Sequence, residues 1–286
     1  MQWRGARRST NIENRRGVRV RPALVGGGLG TIVLLLLALY FGVDPRYVLY
    51  RGGVEAEETG PVSTSSADET TKDFVSAVLG YTEDTWSEIF QSMGRTYEEP
   101  KLVLFTSEVE SACGFAQAAT GPFYCPEDEK VYLDMSFFQE LSDRFKAPGD
   151  FAQAYVIAHE IGHHVQNLLG IARQVQAFRN RSSEAAANRA SVRLELQADC
   201  LAGVWANRTE VAEESKLHQF LETGDVEEAL RAASMIGDDR LQMQAQGYVV
   251  PESFTHGTAE QRLRWFNTGF HANSLSECDT FKRAEP

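Results

Sequence analysis

The sequence predicts an α+β fold, mostly helical with a small β-sheet, preceded by one membrane-spanning helix. Three observations carry this expectation. Apolar residues recur at helical spacing over several long stretches, and only two short apolar runs, Lys101–Phe105 and Lys130–Asp134, read as strands. One uncharged run of 21 residues lies near the start of the chain. With 286 residues, 43% hydrophobic and 24% charged, the chain can bury one sizeable core and carry appendages.

Residues 1–22 form a basic tip, with seven arginines (Arg4, Arg7, Arg8, Arg15, Arg16, Arg19 and Arg21) against the single acid Glu13. The rest of the chain holds 21 bases and 39 acids. Such an acidic body lacks the surplus Lys and Arg that phosphate neutralisation requires, so nucleic acid is excluded as a partner. Residues 23–43 are the uncharged run, matching the roughly 20 residues a helix needs to cross the hydrocarbon core. No small-x-small cleavage site follows Val43, which favours an uncleaved anchor over a signal peptide. The arginine-rich flank predicts a cytoplasmic N-terminus. The expected setting is therefore a membrane crossed once, with the main domain outside the cytoplasm.

Residues 44–71 are rich in Gly, Ser, Thr and Glu and read as a flexible stalk. A folded domain is expected over 72–286. It begins with Phe74, Val75, Val78 and Leu79 at helical spacing, then a break at Gly80, then Trp86, Ile89 and Phe90. The two strand candidates follow. Phe137, Phe138, Leu141 and Phe145 fit a helix stopped by Pro148-Gly149. Residues 150–169 form a long periodic segment closed by Gly170, and another helix is expected over 183–205. Further helices are expected over 226–246 and 259–268.

Four cysteines, Cys113, Cys125, Cys200 and Cys278, all follow the apolar run, and an even count in an oxidising compartment suggests two disulfides. Cys113 and Cys125 bracket a turn-rich segment and are the first pair to expect. Cys200 with Cys278 follows by elimination, although spacing alone leaves three connectivities open.

The chemistry concentrates in the helix over 150–169. His159-Glu-Ile-Gly-His163 is an H-E-x-x-H pattern, and residues four apart share a helix face. Two imidazoles then aim at one point and suit zinc, with Glu160 beside them as a general base. A solvated surface face is the bland alternative. It fits poorly, because Tyr155, Val156, Ile157, Ile161, Val165 and Leu168 make this helix apolar nearly all round. A catalytic zinc needs a third protein ligand, and the next long helix offers Glu195 with Asp199 one turn on. Glu195 completes the ligand set, and Asp199 supports a ligating histidine from behind. His164 points away from that face, to the surface or to a supporting position. His218 and His271 sit in polar surroundings.

The pairing of His159-Glu-Ile-Gly-His163 with Glu195-Leu-Gln-Ala-Asp199 resembles the gluzincins, zinc peptidases whose third ligand is a glutamate. The chain resembles more closely the bacterial putative neutral zinc metallopeptidase family (YpfJ-like). The matching segments are Gly121-Pro-Phe-Tyr-Cys-Pro126, Val131-Tyr-Leu-Asp134, the histidine helix, Gln197-Ala-Asp-Cys-Leu-Ala-Gly-Val-Trp205, and Ser253-Phe-Thr-His-Gly257 through Arg264-Trp-Phe266. The resemblance implies a zincin-like domain holding one Zn2+ per chain on His159, His163 and Glu195, with Glu160 as base in the hydrolysis of peptide or protein substrates. Val131-Tyr-Leu-Asp134 is the expected edge strand for substrate. His256 is the first choice to steady the oxyanion, ahead of Tyr155, Tyr248 and Arg262. The rival expectation is a zinc-stabilised binding module at the membrane that has lost hydrolysis. The intact Glu160 argues against it, because a structural site has no use for a base.

Overall fold

The computed structural model describes residues 1–16, 19–20, 56–57, 66–117, 121–213 and 220–283. The eight α-helices and small sheets among the described residues are α+β, as the periodicities predict. Strands β1 (Ile12–Asn14), β4 (Lys101–Phe105), β8 (Lys130–Asp134) and β7 (Phe123–Cys125) form one sheet in the order β1-β4-β8-β7. β1 and β8 run parallel to β4, and β7 runs antiparallel to β8. Strands β2 (Arg19–Val20) and β3 (Ala56–Glu57) pair with each other, and β5 (Glu108–Ser111) forms a hairpin with β6 (Gly114–Gln117).

Alternation along the strands divides the interior. Leu102, Leu104, Val131 and Leu133 face the helices, whereas Val103, Phe105 and Tyr132 pack on the opposite face with Val109 and Cys125. The helices are α1 (Ser66–Ser92), α2 (Ser136–Asp143), α3 (Asp150–Leu168), α4 (Ile171–Arg179), α5 (Glu184–Glu213), α6 (Asp225–Met235), α7 (Asp238–Gln246) and α8 (Ala259–Phe270). Trp86, Tyr155, Phe151, Trp205, Trp265 and Phe266 are fully buried among them. Burying such rings contributes roughly 1.5–3 kcal/mol each, so this aromatic centre fixes how α3, α5 and α8 sit.

Several expectations need correction. α1 begins at Ser66, so the stalk ends before Thr71, and it runs through Gly80 without a break. A Cβ on Gly80 would stand 3.0 Å from the Arg7 carbonyl oxygen, so this glycine admits a neighbouring backbone and does not end the helix. The helix expected over 226–246 is two helices, parted where Asp238 turns to accept the backbone N–H groups of Thr255, His256 and Gly257. The separate basic tip is also overturned for residues 1–16. They are built into the domain through β1 and through ion pairs to α1. Among the described residues no helix is long and apolar enough to cross a membrane. The run 23–43, for which a spanning helix was expected, lies outside them, as does His218.

Two disulfides join Cys113 to Cys125 and Cys200 to Cys278, with Cα–Cα distances of 5.8 and 5.6 Å. The first ties the β5–β6 hairpin to β7, and the second ties α5 to the turn at Leu275–Cys278.

Candidate metal centre

Helices α3 and α5 carry the two motifs and lie side by side. Gly162, inside the histidine motif, makes the approach close, because a Cβ there would stand 3.0 Å from the Ala198 carbonyl oxygen. The helices run antiparallel, so His159 faces Asp199 and His163 faces Glu195. His159 Nε2 is 3.2 Å from one Glu195 oxygen, and His163 Nε2 is 3.5 Å from the other. Tetrahedral zinc with ligands at about 2.0–2.1 Å sets neighbouring donor atoms about 3.3 Å apart. Two imidazole nitrogens and a carboxylate at these separations fit that ion, and the three residues form a group able to hold a metal.

Each histidine has its other nitrogen occupied, which leaves Nε2 for the metal. His159 Nδ1 donates to Asp199 at 2.8 Å. His163 Nδ1 donates to Gln166 Oε1 at 2.9 Å. The Gln166 amide in turn donates to the Leu194 carbonyl and to Gln197, whose own amide donates to the Cys278 carbonyl. The Cys200–Cys278 disulfide thus braces the support of His163. Asp199 is fully buried and also takes two hydrogen bonds from Arg262, both 2.9 Å, and one from the Tyr155 hydroxyl. Gln166 and Arg262 escaped sequence reasoning in these supporting roles. Gln166 stands three residues after His163 on the same helix face, a usable signal. Arg262 offers none, because its partner is 63 residues away.

The charges follow from this geometry. Burial opposes a proton on His159, but the Asp199 and Glu195 carboxylates outweigh it and raise the imidazole to about 10. His163 is raised for the same reason, with Glu195 the opposing charge. Burial would raise Glu195, yet the two histidines hold it well below the usual carboxylate range. Glu160 behaves differently. Burial dominates over the attraction of His159 and His163, and its carboxyl is raised. A raised carboxyl is a better proton acceptor near neutral pH.

These groups open onto a cavity of about 1680 Å³ lined by His159, Glu160, His163, Glu195 and His256. That exceeds the roughly 300–1,000 Å³ of small-molecule sites and suits a longer chain. Phe123 and Tyr124 of β7 and Phe137 form part of its apolar wall. β7 is the free edge on this side. β8 lies between β4 and β7, so Val131-Tyr-Leu-Asp134 has no edge to offer and the expectation for it is corrected.

His256 reaches the cavity with its side chain half exposed, and its Nδ1 is held by Asp238 at 3.1 Å. The hydrogen bond to Asp238 raises its pKa. Tyr155 and Arg262 line the cavity too, but both are spent on Asp199. Tyr248 is exposed and stands outside the lining. His271 is exposed and donates to the Asn267 carbonyl. His164 departs from the surface position considered for it, being 1% exposed. Its Nε2 lies 2.7 Å from the Glu98 carbonyl oxygen, which only accepts, so Nε2 carries the hydrogen. Nδ1 is then an acceptor for the Tyr124 hydroxyl at 3.0 Å, and the imidazole links α3 to the edge strand.

Comparison with known proteins points to the same metal. The family model described as "Putative neutral zinc metallopeptidase" matches residues 1–281. The chain is 46% identical to the uncharacterized protein YpfJ of Escherichia coli, over 99% of this chain and 100% of that protein. It is 40% identical to the uncharacterized proteins Mb2605 of Mycobacterium bovis and Rv2575 of Mycobacterium tuberculosis, over 87% of this chain and 86% of theirs. No solved structure matches. The chain belongs to the neutral zinc metallopeptidase family that this model describes, and the family implies zinc.

Proposed function

We propose that this member of the family is a zinc-dependent endopeptidase that binds one Zn2+ through His159, His163 and Glu195. The observation that carries the reading is the convergence of the two Nε2 atoms on the Glu195 carboxylate, 3.2 and 3.5 Å away, inside a cavity that Glu160 also lines. Bound zinc supplies Lewis acidity, which activates water and polarises a peptide carbonyl. Glu160 accepts the proton of the attacking water and hands it to the leaving amine. Asp199, held by Arg262 and Tyr155, keeps the His159 ring oriented. His256, its Nδ1 anchored on Asp238, presents Nε2 to the developing oxyanion. An extended peptide lies along the free edge of β7. The enzyme acts on peptide or protein substrates at a bacterial membrane, which it meets through residues 23–43.

The test is Glu160→Gln in the full-length protein. It is expected to keep stoichiometric zinc and lose peptide cleavage by roughly 100- to 10,000-fold. A wild-type protein that binds zinc yet cleaves nothing in a broad peptide library would establish the binding-module alternative instead.

A further inference from the structure

We infer that residues 1–16 lie on the same side of the membrane as the zinc-binding cluster, so that residues 23–43 do not act as a single-pass anchor. The sheet requires it. β1 pairs with β4 in parallel register, Ile12 beside Leu102 and Asn14 beside Leu104. The Leu102 N–H donates to the Asn11 carbonyl and the Arg15 N–H to the Leu104 carbonyl, each at 2.8 Å. One crossing between these strands would set them on opposite faces of a hydrocarbon core roughly 30 Å thick.

The side chains make the same demand. Glu83 on α1 is 1% exposed, and every hydrogen bond seen at its carboxylate among the described residues comes from the N-terminal segment. Arg7 reaches it at 2.7 Å, Ser9 at 2.5 Å and Asn11 at 2.9 Å. Without residues 7–11 the domain would keep a buried carboxylate with no partner, which folded proteins avoid. Four of the seven arginines that suggested a cytoplasmic tip are held in ion pairs within the domain. Arg7 pairs with Glu83 and Asp84, Arg8 with Asp73, Arg15 with Glu13, and Arg16 with Glu69.

Arg16 adds the closing constraint. Its guanidinium lies 3.5 Å from the Asp68 carbonyl oxygen and 3.0 Å from the Glu69 carboxylate, both in the first turn of α1. Beyond Arg16 the chain is still held at β2, which pairs antiparallel with β3, so Val20 and Ala56 also lie side by side. Between them the chain crosses any bilayer an even number of times or not at all. Two helical crossings need roughly 40 apolar residues, and the uncharged run has 21. Contact with lipid is left to the leaflet facing the domain.

Cysteine accessibility in spheroplasts tests this with the whole chain. All four native cysteines are in disulfides, so one introduced thiol is a unique reporter. Gly5→Cys reports on the N-terminal segment, where an added Cβ meets nothing within 4 Å. Ser87→Cys reports on the exposed face of α1, and Thr10→Cys repeats the N-terminal measurement at another exposed position. With a membrane-impermeant maleimide the positions are expected to behave alike, all reacting before lysis or all only after it. Labelling of Ser87→Cys in intact spheroplasts while both N-terminal thiols react only after lysis, or the reverse, overturns the inference.

Discussion

Asp199 and Arg262 meet through two parallel hydrogen bonds of 2.9 Å, with the carboxylate fully buried and the arginine 3% exposed. The same carboxylate holds His159 from behind. Support for the proposed zinc ligand His159 and stability of the core therefore share one ion pair.

Removing one partner exposes that coupling. Arg262→Met leaves Asp199 charged and buried, and should destabilise the protein by about 3–5 kcal/mol. Calorimetry on the zinc-free form checks this. Asp199→Asn should weaken zinc binding by roughly 10- to 100-fold, measured by chelator competition. Glu195→Ala should lose more than that, because it removes a ligand. Full zinc affinity in Glu195→Ala would take Glu195 out of the metal site.

The link between α3 and β7 gives a second prediction. Tyr124→Phe removes the hydroxyl that donates to His164 and accepts from the Asn167 amide, and should cost about 1–2 kcal/mol. His164→Ala also leaves the Glu98 carbonyl without its donor, so its thermal midpoint should fall further. Zinc content should be unchanged in both, since neither side chain touches the ligand cluster. A loss of zinc in Tyr124→Phe would contradict the role given to this pair.

Acid provides the third. Arg262 and His159 lower Asp199 against the effect of its burial, from 3.8 to about 2. A depressed carboxyl stabilises the fold above its unfolded pKa and loses that contribution as pH falls through the folded value. The metal-free protein should thus lose this part of its stability between pH 3.8 and about 2. Asp199→Asn should show a shallower dependence of unfolding free energy on pH across that window. Identical slopes for the two proteins would refute the assignment.

What the sequence revealed depended on the range of the signal. The four-residue spacings of His159 with His163 and of Glu195 with Asp199 are helical periodicity, visible wherever a helix forms. The same local pattern located α3, β4 and β8. Gly80 misled because a glycine that admits a neighbouring backbone looks the same, in one sequence, as one that breaks a helix. The order of strands is not a local property, so nothing marked β7 rather than β8 as the edge. Residues Ile12–Asn14 hold one apolar side chain and gave no strand signal, because their pairing partner lies far along the chain. The pairing of Arg262 with Asp199 was hidden for the same reason.

The parallel pairing of β1 with β4 also sets a timetable. Ile12 is made before all of α1, but its neighbour Leu102 leaves the ribosome only after that helix. The sheet cannot close until then, and such long-range pairing folds slowly because loop closure precedes its reward. During synthesis β1 is without its sheet partner until α1 and β4 have followed it.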